Sequence, residues 1–90
     1  MTNMSSYDPA ALECLAAIVE EGGFERAAQR LHITQSAVSQ RLRVLEAQVG
    51  SVLIVRSRPL KATPAGQLLL KHSQQLRLLR ADLERDVRDL

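Results

Sequence analysis

The sequence predicts a mostly α-helical domain: three short helices, a two-stranded hairpin and one long helix, in that order. Aromatic residues are nearly absent, Tyr7 and Phe24 standing without a tryptophan, so leucine, alanine and valine must build the core. That composition suits packed helices better than stacked sheets. Apolar residues recur mostly at three- and four-residue spacing, and the few glycines and prolines fall near expected helix ends or at a hairpin tip. Ninety residues suffice for one small core, too little to hide a catalytic cleft between two domains.

Met1 to Tyr7 (1–7) is a polar leader without periodicity and is expected to fray. Asp8 stands as an N-cap with Pro9 at the first helical position, and Leu12, Leu15, Ala16 and Val19 recur on one face until Gly22 and Gly23 end the helix. A second helix is expected from Glu25 to Leu31 with Ala27, Ala28 and Leu31 inward; its alanines allow close approach to a neighbouring helix. His32, Ile33 and Thr34 form the turn. The third helix runs from Gln35 to Val49, capped by Gly50, with Val38, Leu42, Leu45 and Val49 in one apolar stripe and Ser36, Ser39, Gln40, Arg43 and Ala47 opposite.

Val52 to Arg56 reads as a strand, Ser57, Arg58 and Pro59 as its tip, and Leu60 to Ala62 as the returning strand. Helix, short helix, turn, helix and hairpin together make a winged helix-turn-helix over 8–63. Thr63 and Pro64 repeat the cap-and-proline signal, and a linker helix over 64–90 follows, about 27 residues and about 40 Å long. Leu69, Leu76, Leu83 and Leu90 are spaced by seven, with Leu79 at an intervening position and the polar His72 and Asp86 at the other two. One alternative is that this helix packs on its own head. It is longer than that head can cover, so the seam predicts a homodimer.

The net charge of +2 is small, but Arg41, Arg43, Arg56, Arg58 and Lys61 face a single acid, Glu46, between positions 41 and 61. That stretch carries +4 and the remainder −2, a local basic face suited to polyanions or, more plainly, to solvent. Cys14 has no second cysteine for a disulfide or a zinc knuckle, and it sits on an apolar helical face as a core thiol rather than a nucleophile. His32 and His72 lack a partner at ligand spacing, so no metal, cofactor or enzymatic activity is expected. The longest aliphatic runs, Val52 to Val55 and Leu68 to Leu70, are far too short for a bilayer, and no targeting signal opens the chain. The chain reads as cytoplasmic.

A DNA major groove accepts one α-helix and is read by side chains near its N-terminus, while hydroxyls and arginines hold phosphates. Thr34, Gln35, Ser36, Ser39 and Gln40 offer donors and acceptors of that reach, Gln35 being suited to an adenine edge, and Arg43 lies further along the same face. Such residues also serve as ordinary helix caps. Their pairing with a short preceding helix and a basic wing favours double-stranded DNA as the partner. A helical protein–protein dimerisation module with an incidental basic face is the alternative.

The stretch from Phe24 to Glu46, then Val49, Gly50, Leu53, Val55, Arg56, Pro59 and Thr63 to Gly66, closely resembles the N-terminal domain of LysR-type transcriptional regulators. The alanine pair Ala27 and Ala28, Ser36 with Ser39, and Leu45-Glu46 ahead of Gly50 rarely coincide otherwise. Gly23 to Ala28 and Ile33 to Arg41 look most like the branch regulating export of arginine and lysine. The resemblance implies a bacterial DNA-binding dimer on an interrupted palindrome. Gln35, Ser36 and Ser39 would face bases, Thr34, Gln40 and Arg43 the DNA backbone, and Arg58, with Arg56 in reserve, the minor groove. The linker helix, with Leu69, Leu76, Leu79, Leu83 and Leu90, would pair antiparallel across the dimer, within a larger oligomer of the whole protein. It also implies a C-terminal effector-binding domain outside these ninety residues, the only place for a small-molecule effector. Many relatives carry a Gly-Ser pair before the wing arginine; here the wing is one residue shorter, which bears on the reach of Arg58.

Overall fold

The computed structural model describes residues 7–90. The leader expected over 1–7 therefore lies outside the described residues except for Tyr7, which packs half-buried against the core. The elements are α1 (Pro9–Glu21), α2 (Phe24–Leu31), α3 (Gln35–Val49), β1 (Ile54–Val55), β2 (Lys61–Ala62) and α4 (Pro64–Arg88).

Local chemistry sets these boundaries. The Asp8 carboxylate accepts the Ala10 N–H at 3.0 Å ahead of Pro9, and α1 stops where Gly22 turns left-handed (φ 79°) and donates its N–H to Ile18 O at 2.8 Å. A side chain at Gly22 would be strained by that backbone and would press on Pro59 of the wing. Helix α2 begins at Phe24, one residue earlier than expected, and ends at His32, itself left-handed (φ 57°). Helix α3 has the predicted bounds: Thr34 Oγ1 accepts the Ala37 N–H at 3.0 Å, and Gly50 closes the helix onto Glu46 O.

The core gathers Ala11, Leu15, Ala17 and Ile18 of α1, Ala27 and Ala28 of α2, and Val38, Leu42 and Leu45 of α3, with Leu53 and Ile54 beneath the wing. Full burial of a leucine or isoleucine stabilises by about 1.5–3 kcal/mol, so Leu15, Ile18, Leu42, Leu45 and Leu53 dominate. The face expected for α1 is too narrow. Leu12 and Val19 lie half-buried at its edges, while Ala11, Cys14, Ala17 and Ile18 are also buried, because α1 packs against α2, α3 and α4 together.

The strands are shorter than expected. Only Ile54 with Ala62 and Val55 with Lys61 pair, antiparallel. The ladder stops because the flanking N–H groups have other acceptors: Leu53 N–H donates to Glu46 Oε2 at 2.8 Å, and Leu60 N–H donates to Gly22 O at 3.1 Å. The Thr63 hydroxyl donates to Val52 O at 2.7 Å, and its oxygen accepts the Gly66 N–H at 3.1 Å, joining the wing to the first turn of α4.

Helix α4 has two regimes. Ala65, Leu69 and Leu70 pack on the head, whereas every residue from Gln74 onward is exposed. Leu69 therefore belongs partly to its own domain's core, because the first turns of α4 lie against that core. The helix ends at Arg88, capped by Asp89, which leaves Leu90 past its end rather than on the helical seam.

Gly66 is buried against the Leu53 carbonyl, and a Cβ there would collide with that oxygen and crowd Ala62. Gly66→Ala is expected to lower stability by about 1–3 kcal/mol. Gly23→Ala, in extended backbone with open space around it, should cost far less. Urea unfolding of both variants checks the contrast, and equal losses would contradict the close approach at Gly66.

Candidate nucleic-acid interface

The outward face of α3 carries Ser36, Gln40 and Arg43, all exposed, with Thr34 and Gln35 exposed at its start. Ser39 is half-buried at the edge of this face, closer to the core than its place on the polar side implied. Because Thr34 Oγ1 spends a lone pair on the Ala37 N–H, its hydroxyl proton is left to donate outward. Buried Val38, Leu42 and Leu45 anchor the opposite face, so the polar side chains project from a fixed helix.

Beside the start of α3 opens a cleft of about 570 Å³. It is lined by Gln35, by Gly22 to Arg26 at the α1–α2 turn, and by Arg56 to Leu60 of the wing. The structure thus brings Gln35 together with Arg56 and Arg58 of the wing, which are distant from it in sequence. It adds two residues that sequence reasoning assigned no role, Phe24 and Arg26. The Arg56 guanidinium carbon lies 4.6 Å from the centroid of the Phe24 ring. Phe24 being the sole phenylalanine in an aromatic-poor chain was the available signal.

The electrostatics separate two groups of cations. Arg30 pairs with Glu20 at 2.7 Å and Glu21 at 3.4 Å, and Arg26 approaches Glu21 at 3.8 Å, joining α2 to the end of α1. Arg41, Arg43, Arg56, Arg58 and Lys61 have no carboxylate in ion-pair range among the described residues. The basic excess of this stretch is therefore not neutralised within the head.

Cys14 is fully buried, and that burial pushes its thiol pKa up, against an opposing hydrogen bond from Arg41. It is a core thiol, as expected. Among the described residues no cluster of histidine, cysteine and carboxylate could hold a metal ion, and no helix is long and apolar enough to cross a membrane.

Residues 9–67 match the family described as bacterial regulatory helix-turn-helix protein, lysR family. The HTH-type transcriptional regulator ArgP of Pseudomonas aeruginosa is 54% identical over 87 residues, covering 97% of this chain and 29% of that protein. The full-length LysR-type regulator LysG of Corynebacterium glutamicum superposes with a TM-score of 0.89 at 40% identity, over 93% of this chain and 29% of that one. A complex of the BenM DNA-binding domain with its catB site 1 DNA superposes with a TM-score of 0.78 at 32% identity, over 91% of this chain and 92% of that one. The chain belongs to the LysR family of bacterial helix-turn-helix regulators, a family of transcriptional regulators rather than enzymes. It spans about 29% of the length of the ArgP regulator it matches.

Thr34→Ala is expected to remove the α3 cap and lower stability by about 1 kcal/mol, whereas Thr34→Ser should retain it. Chemical denaturation without DNA measures the difference. Identical midpoints for the two variants would show that the cap is not needed.

Proposed function

We propose that residues 8–63 are the DNA-binding head of a bacterial transcription regulator and that α4, in 64–90, is its dimerising linker. The observation that carries this is the polar N-terminal face of α3 beside a wing whose arginines have no carboxylate partner among the described residues. A helix of this design enters a major groove, and cations unpaired within the protein are available to phosphates. Gln35, Ser36 and Ser39 read base edges, Thr34, Gln40 and Arg43 hold the backbone, and Arg58, with Arg56 behind it, approaches the minor groove. Matching a DNA complex at 32% identity supports the same reading.

Exposed Leu76, Leu79, Leu83 and Val87 form a stripe along the free part of α4, and Leu68 and Leu78 are exposed as well. We assign the stripe to antiparallel pairing with a second copy, giving two heads that address an interrupted palindrome. We extend this reading, on the sequence resemblance alone, to control of genes for arginine and lysine export; a full-length LysG with bound effector Arg supports an amino-acid effector held outside these ninety residues. The regulator acts in the cytoplasm, on the nucleoid when bound to DNA.

A dimerisation module with an incidental basic face is favoured by the same leucine stripe. It predicts that Gln35→Ala and Ser39→Ala leave activity intact while charge at Leu76 and Leu83 abolishes it. Fluorescence anisotropy with an interrupted-palindrome duplex and a scrambled one, at two salt concentrations, separates the readings. A sequence reader binds the first duplex preferentially and loses affinity steeply with salt; equal, salt-insensitive binding contradicts it.

Arg58→Ala is expected to weaken binding to many sequences alike and to flatten the salt dependence by about one phosphate contact. An unchanged slope removes Arg58 from the wing role. Leu76→Asp with Leu83→Asp is expected to give monomers that still bind a half-site; dimers persisting in sedimentation would place the seam elsewhere.

A further inference from the structure

We infer that Phe24 is a positioning residue for DNA binding: its ring holds the Arg56 guanidinium, so that the base of the wing presents a fixed cation beside the start of α3. The inference rests on the DNA-binding reading above and goes beyond it, since Phe24 acts through Arg56 and need not touch nucleic acid.

The geometry is specific. At 4.6 Å from the ring centroid, the Arg56 guanidinium carbon is well inside the range in which a cation is attracted by an aromatic face. Arg56 is exposed and has no carboxylate partner among the described residues, so the ring is the contact that orders it. Phe24 is itself held, half-buried at the first position of α2 and packed against the core.

The wing backbone is fastened at the same place. Leu60 N–H donates to Gly22 O at 3.1 Å, and Pro59 lies against Gly22. The Ser57 hydroxyl donates to Pro59 O at 2.8 Å and braces the tip. The α1–α2 turn therefore holds the wing through its backbone, and Phe24 holds the charge that the wing carries. Both aligned groups line the cleft that Gln35, Arg26 and Arg58 share, with Glu25 the one acid at its edge. An arginine already ordered by a ring loses less side-chain freedom when it meets a phosphate, and its charge stays near the recognition helix.

A role confined to filling the edge of the core predicts something different. Truncating Phe24 would then cost the same whether or not Arg56 is present. The test is a double-mutant cycle on the ninety-residue chain, using Phe24→Leu, Arg56→Gln and the double variant, with affinity for a mixed-sequence duplex read across a salt series. Phe24→Leu is expected to weaken binding about two- to fivefold when Arg56 is present and to add nothing to Arg56→Gln. Phe24→Trp, which keeps an aromatic face, is expected to restore the affinity. Equal losses in the two backgrounds, or no loss at all, overturn the inference.

Should Phe24→Leu fail to fold, proton NMR of the unsubstituted chain decides. The Arg56 δ-methylene protons are expected upfield through the ring current of Phe24, and ordinary shifts there overturn the assignment. Failure of the DNA reading is seen separately, as absence of salt-dependent duplex binding by the unsubstituted chain. That outcome removes the role of Phe24 with it.

Discussion

Leu53 is the point through which the parts of this domain are joined. Its side chain is fully buried in the core, its N–H is held by the Glu46 carboxylate of α3, and its carbonyl accepts the Thr63 N–H at 3.0 Å. The same carbonyl lies where any side chain at position 66 would have to go, which is why a glycine stands in the first turn of α4. One residue thus couples the recognition helix, the hairpin and the linker helix. Displacing it would leave a partly buried N–H unpaired and a core position empty, two costs that both fall on the orientation of the wing.

Much of this was legible beforehand because the helix ends are written in local chemistry. Asp8, Thr34 and Thr63 each accept a backbone N–H of the first turn that follows, and Gly22 and Gly50 close helices in left-handed conformation, so these boundaries need no knowledge of the fold. What periodicity could not supply was the number of neighbours. Periodicity marks a single stripe on α1, yet the helix packs against three others. Heptad spacing places Leu69 on the seam although the head already claims it. The strand ends depended on acceptors elsewhere, on Glu46 and Gly22, which no alternation pattern reveals.

The candidate interface was legible in part for a similar reason. Ser36, Gln40 and Arg43 follow from the helical wheel once the apolar stripe is known, and their exposure agrees with it. Ser39 sits nearer the core, on the flank of that face. The cleft between Gln35 and the wing arises from chain reversal over more than twenty residues, and Phe24 enters it only through that reversal. The acidic end of α1 is occupied by Arg26 and Arg30, which leaves Arg43, Arg56, Arg58 and Lys61 exposed and without a carboxylate partner among the described residues.

The far part of α4 has a consequence for how the chain orders itself. From Gln74 to Arg88 every residue of the helix is exposed, and its own head supports that segment only near Leu76, Arg77 and Arg80, which line a groove with Tyr7, Pro9 and Leu12. An isolated helix of about 15 residues is marginal in water, since nucleation is costly and each added turn contributes little. Helicity of this segment is therefore linked by mass action to whatever covers its leucines, and it rises with chain concentration if that cover is a second copy. If a second copy is that cover, far-UV ellipticity at low and at high chain concentration would report assembly, because helix formation and association would then be one equilibrium.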